Sequence, residues 1–131
     1  MKLFYATFAG VIAAFIAMMF LEGLGHSLFP IPFEIDPNNL DSLKDKLHLI
    51  PVQMYIAVAL AHGLGVLIGL LIASAIDKTS KISLYIIGGF FLLGTVANLF
   101  MIPHPMWFAI ADVGVVVLVV FLMIRKPLPA K

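Results

Sequence analysis

Four apolar runs, residues 3–29, 52–76, 82–102 and 106–124, fill most of this chain and leave room for a single polar connection of any length. Each is close to the ~20 residues that a helix needs to cross the hydrocarbon core of a bilayer. Backbone groups in lipid must satisfy their own hydrogen bonds, which restricts a crossing segment to a helix or to a strand of a closed barrel. Barrel strands would read as ~10-residue stretches of alternating polarity, and these runs do not alternate. The expected fold is therefore all-α, an integral membrane four-helix bundle forming one transmembrane domain over residues 1–131. Composition agrees: 11% of residues are charged, where soluble domains average about a quarter. The first run is read as a membrane helix rather than a signal peptide, because it exceeds an h-region of ~7–15 residues and no small-x-small cleavage pattern closes it.

Basic residues sort by end. Lys2, Lys78, Lys81, Arg125, Lys126 and Lys131 fall on one side of the bundle, against Lys44 and Lys46 on the other. The positive-inside rule then predicts cytoplasmic N and C termini, with residues 30–51 and 103–105 facing outward. Tyr5 and Tyr85 are placed at the inner boundary, and Tyr55 and Trp107 at the outer one, as an aromatic belt. Within the outer loop, Asp41 is expected to cap a short amphipathic helix over about 41–50 that lies on the bilayer or lids the bundle. Pro51 and Pro105 are expected to start the second and fourth spans, where a missing N–H costs nothing.

Small residues mark close helix contacts. Gly65, Gly69 and Ala73 form a small-xxx-small ladder within about 60° of His62 on the helical wheel, which turns that histidine toward protein. Ala6, Gly10, Ala13 and Ala17 make a second stripe on the first span, roughly opposite the face of Phe4, Phe8, Val11, Phe15, Met18, Glu22 and His26. One of the two faces is expected to contact something other than the bundle centre, and a homo-oligomeric contact, with a second copy of the chain on the small-residue stripe, is one candidate. The two Gly-Leu-Gly triplets, at 23–25 and 63–65, are explained in the same way. A shift of 71 residues aligns 20–32 with 91–103 at seven of thirteen positions. Both copies would run the same way across the membrane, as a parallel two-helix repeat would; coincidence between two apolar helix ends is the alternative.

Ionisable side chains inside apolar spans are expensive and by default mark a site. Glu22 and His26, four apart, share one helical face. Counted from the outer boundary at ~1.5 Å per residue, Glu22 and Asp112 lie ~10 Å deep, His26 and Asn98 ~6–7 Å and His62 ~16 Å, with His104 at the mouth. The inner half offers only Ser74 and Tyr85 as obvious polar side chains. The candidate site for a ligand or proton is thus Glu22, His26, His62, Asn98, His104 and Asp112, opening outward. Each has a structural alternative: Asn98 and Asp112 as interhelical hydrogen-bonding groups, His104 as a solvated turn residue, Glu22 with His26 as a packing pair.

Three chemistries suit this set. A divalent metal would take Glu22, His26, His62 and Asp112 as ligands, although the usual Glu-x-x-His pairing of bundle metal sites is absent. Haem between His26 and His62 is disfavoured by their ~10 Å difference in depth. Proton or cation movement through Glu22, His62 and Asp112 is the third. The chain has no cysteine, which removes thiolate sites and disulfides, and no serine or phosphate-loop pattern supports nucleophilic catalysis, so no catalytic residue is assigned. A formal net charge of +1 and the lack of a basic face exclude nucleic acid as partner. The methionines of the outer half are read as soft apolar filling.

The acid-x-x-x-His of Glu22 and His26, the break at Phe29, Pro30, Ile31 and Pro32, and the Pro103-His104 pair before the last span resemble short bacterial four-span membrane proteins of no assigned function. Those proteins carry an acid-x-x-x-His, a Phe-Pro-Pro turn and a Pro-His-Trp; here Pro105 stands in place of that Trp, and Trp107 follows two residues later. The resemblance implies the topology, a bacterial inner membrane and the interest of Glu22, His26 and His104, but no activity. The preferred expectation is a non-enzymatic protein that binds a small ligand or cation, with translocation of that ligand left open. A structural subunit without a ligand is the alternative, and a metal- or haem-dependent membrane enzyme the third.

Overall fold

The computed structural model describes residues 1–127, and Lys131, counted above among the basic residues of one end, lies outside them. Among the described residues the chain is all-α, with five helices: α1 (Lys2–Leu28), α2 (Leu40–Lys46), α3 (Val52–Ile76), α4 (Ile82–Met101) and α5 (Met106–Arg125). A single 3₁₀ turn, Leu47–Leu49, follows α2. Four of the helices are long and apolar enough to cross a membrane. Their ends fall within two residues of the expected ones, because prolines and polar connections punctuate the apolar runs. Pro51 and Pro105 sit one position earlier than expected, at the cap. Their carbonyls accept the first helical hydrogen bonds, from the amides of Met54 at 2.9 Å and Ala109 at 3.1 Å.

The central element is α3. It packs on α1, α4 and α5, whereas α1 and α5 do not pack on each other. Missing side chains explain the closeness of α1 and α3. A β-carbon on Gly10 would stand 2.8 Å from the Gly69 carbonyl oxygen, and one on Gly65 would stand 3.0 Å from that of Ala14. The ladder on α3 therefore does face protein, as its spacing predicts. The stripe on α1 meets the same seam: Ala6 and Gly10 are buried within the chain, together with Ala14. Two of the four stripe residues are thus buried within the chain, Gly10 against Gly69 and Ala73 of α3 and Ile87 of α4, while Ala13 and Ala17 are half-buried. Gly63 faces Val115 of α5, and Gly25 lies against Ala57; Gly23 touches nothing, so close packing does not explain it.

Residues 29–51 lid one end of the bundle, called here the proline end. Asn39, rather than Asp41, caps α2: its side chain accepts from the Ser42 amide at 3.3 Å, and Asp41 occupies the first turn. Leu43 of α2 is buried. Tyr55 is buried too, with its hydroxyl on the Leu47 carbonyl at 3.3 Å and its ring on Trp107 and Phe108, so it pins the lid instead of joining an aromatic belt. Tyr5, Tyr85 and Trp107 are exposed. At the opposite end, the Lys81 ammonium donates to the Ile124 carbonyl at 2.6 Å, tying the α3–α4 turn to the end of α5. Asp77 is buried in that turn and accepts from the Thr79 hydroxyl and amide, which holds its carboxyl below the ordinary value. The polar content of this half is larger than expected, since Thr7 and Ser83 also bring buried hydroxyls to it.

The two segments aligned by the 71-residue shift share some surroundings and not others. Gly23 and Gly94 are both open, but Phe20 is 67% exposed where its counterpart Phe91 is buried.

Candidate functional site

Three of the ionisable side chains form one hydrogen-bonded row across the bundle. His62 of α3 stands in the middle, with Nδ1 2.7 Å from Asp112 Oδ1 of α5 and Nε2 3.0 Å from Glu22 Oε1 of α1. Exposure falls along the row: the Glu22 side chain is 37% exposed, that of His62 13%, and that of Asp112 not at all. The row bridges α1 and α5, whose backbones do not pack on each other. The second carboxylate oxygen of Asp112 is buried and has no hydrogen-bond partner among the described residues.

The contacts correct the depth expected for His62. It lies ten residues from the start of α3, against six for Glu22 and Asp112 from their helix ends. All three are nonetheless level, so α3 overhangs its neighbours by about 6 Å at the proline end. Tyr55 stands on the overhanging turn, where its hydroxyl ties that turn to the Leu47 carbonyl of the lid.

Proton counting constrains the row. A neutral imidazole has one N–H and can donate to only one of its two carboxylate neighbours; bonding both takes a second proton, on the ring or on a carboxyl. With two protons shared in this way the three groups carry a net charge of −1 (one imidazolium against two carboxylates). A third proton, or one bound monovalent cation, makes the group neutral.

The exposed end of the row opens into a cleft of about 690 Å³ between α1 and α4, with His62 and Val58 of α3 at its base. Glu22 lines it from α1, and Thr95 and Asn98 line it from α4. Asn98 is therefore at the site, but it bonds neither Asp112 nor His62. Thr95 escaped the sequence reading, although a threonine one turn from Asn98 in an apolar span carries the signal that would have found it.

His26 and His104 stand apart from the row. His26 is exposed, and the shared face with Glu22 does not become a contact. His104 lies by a second cleft, beneath the lid, together with Asp41 and Lys44. Its Nδ1 donates to the Ile102 carbonyl at 2.7 Å, and its ring stacks on Phe108 at 5.0 Å between centroids. Burial pulls the His104 pKa below its ordinary 6.5. The unfolded chain then takes up the proton first as pH falls, so stability is lost on acidification through about 6.5. An NMR titration of the ring should show a depressed midpoint, and His104→Gln should lessen the acid sensitivity of the lid.

The metal reading does not fit these positions. The ring nitrogens of one imidazole point away from each other, so Glu22 and Asp112 on opposite nitrogens cannot close on one ion together with His62. Among the described residues no group of three or more histidine, aspartate or glutamate side chains is arranged to hold a metal. A haem between His26 and His62 would have to displace a carboxylate from His62 and draw in an exposed His26. Comparison of the chain with protein-family models, curated proteins and solved structures finds no match.

Proposed function

We propose that this chain is a multi-pass membrane protein that binds a small cation-bearing ligand at Glu22, as a binding or transport protein rather than an enzyme. The observation that carries this reading is the graded row: an accessible carboxylate in a cleft, backed by an imidazole that a wholly buried aspartate fixes in place. A row of net charge −1 in apolar surroundings is costly, and a cation at its open end removes that cost. The distribution of basic residues favours cytoplasmic termini. The resemblance noted above favours a bacterial inner membrane.

Dicyclohexylcarbodiimide, which modifies protonated carboxyl groups in apolar surroundings, tests the reading on the detergent-purified protein. Intact and peptide mass spectrometry should find Glu22 modified and Asp112 untouched. Tetramethylammonium or tetraphenylphosphonium should protect Glu22. The reading fails if Glu22 does not react, or if neither cation protects it.

One observation favours a second reading, in which the row is structural: it links α1 to α5, whose backbones do not pack on each other. The two readings separate in Glu22→Gln. A binding site predicts an unchanged melting temperature with loss of every cation effect. A structural tie predicts a lower melting temperature in a protein that never responded to cations.

A further inference from the structure

The cleft opens sideways, along the flank of the bundle. Met19 of α1 and Leu93 of α4 stand on its two walls, and each is 73% exposed. They lie nine and eight residues from the proline end of their helices, about 12–14 Å down. In a hydrocarbon layer about 30 Å thick that level is close to the midplane. Below the opening Phe15 packs on Phe90 and Phe91 with ring centroids 6.1 and 5.1 Å apart, closing the seam between α1 and α4. Gly94 contributes to the opening by absence: a β-carbon there would meet nothing within 4 Å. The walls are thus methionine, leucine and phenylalanine, while the polar atoms gather at Glu22, His62, Thr95 and Asn98.

A site whose mouth faces lipid is reached by molecules that dissolve in lipid. Water-soluble ions would have to cross the apolar walls, at the cost of shedding their hydration. Charge selects further, because only a positive ligand can replace the third proton in neutralising the row. We infer that the cleft takes a small hydrophobic cation from the lipid phase, a delocalised or amine-borne charge inside an apolar shell, in exchange for one proton. This rests on the proposed cation site at Glu22 and specifies its ligand class and its access. The exchange is balanced: the row is neutral with three protons, or with two protons and the cation, so the arriving charge displaces one proton. The cation takes the place of that proton beside Glu22 and sheds the surface of its apolar shell into the cleft walls.

Groups besides Glu22 that bear on the exchange are few. Asp112 faces His62 from α5, and His104 lies above it on the connection into α5. His26 is one turn beyond Glu22 on α1 and exposed, whereas α4 presents only the uncharged Thr95 and Asn98.

The test is equilibrium binding of labelled tetraphenylphosphonium and tetramethylammonium to the full chain in lipid nanodiscs, over a pH series. Tetraphenylphosphonium should bind at least about tenfold more tightly, reflecting its buried apolar surface. At the acid end its affinity should fall by about tenfold per pH unit, the slope for one proton released per cation bound. Glu22→Gln should abolish both binding and slope. Gly94→Leu, which puts a side chain into the opening, should weaken tetraphenylphosphonium binding by about tenfold, taking several buried methylene equivalents as the loss. Gly23→Leu, equally open but outside the cleft, should bind as the parent does. Equal affinity for the two cations, a flat pH profile, or indifference to Gly94→Leu overturns the inference while leaving the cation site standing. Binding of neither cation overturns the site as well.

Discussion

Replacing His62 by alanine is expected to destabilise the protein by about 3–5 kcal/mol, the usual consequence of removing one partner from a buried charged group. The variant leaves Glu22 and Asp112 facing one another across a cavity, with Asp112 fully buried. Reversible unfolding in mixed micelles would measure the difference. The sharper expectation concerns the triple variant Glu22→Leu, His62→Leu, Asp112→Leu, in which no charge is left to compensate. Apolar replacement of a complete buried ionic group is commonly neutral to ~1–4 kcal/mol stabilising. The triple variant should thus be far more stable than His62→Ala, and at least close to the parent. A triple variant as unstable as the single one would show that the row contributes shape or hydrogen bonds that leucine cannot replace.

The second large effect lies at the α1–α3 seam. Gly69→Ala places a β-carbon against the Gly10 carbonyl oxygen and 2.8 Å from the Ala14 β-carbon. Both are parts of α1 that cannot swing aside as the end of a long side chain can, so the helices must separate. Overpacking of this kind costs about 1–3 kcal/mol. Separation also lengthens the Glu22 to His62 contact, which lies further along the same pair of helices, so carbodiimide labelling of Glu22 should change with stability. Gly23→Ala is the matched control. Its β-carbon meets nothing, and replacing a helical glycine by alanine there should be neutral or stabilising by up to ~1 kcal/mol. Equal losses in the two variants would refute the seam as described.

What could be read from the residues alone was set by physics internal to each helix. Hydropathy and prolines delimit the spans, and the positions of Gly65 and Gly69 around the helix place His62 on a protein-facing side. Partner choice was less legible. Glu22 and His26 share a face by spacing, but the face is wide enough that Glu22 reaches His62 while His26 remains exposed. Depth measured from each helix's own end failed for His62 because α3 overhangs its neighbours, and no residue in α3 records where another helix begins. A stripe of small residues announces a close contact without saying with what. The Ala6 and Gly10 stripe therefore suited a second copy of the chain as well as α3. Tyr55 has the composition of an interfacial residue, and only the lid folded over it makes it a buried one.

The central position of α3 also bears on how the protein is made. Synthesis proceeds from the N terminus, so α1 and α3 enter the membrane before α4 and α5 exist. The Gly65 and Gly69 contacts of their seam, and the contact of Glu22 with His62, lie between these two helices alone. A carboxylate beside an imidazolium is balanced, so the half-made protein carries no excess charge at this level. Only when α5 arrives with Asp112 does the row acquire its unmatched negative charge. On the cation-binding reading proposed above, the last helix to be inserted is therefore the one that turns a neutral helix pair into the cation's site.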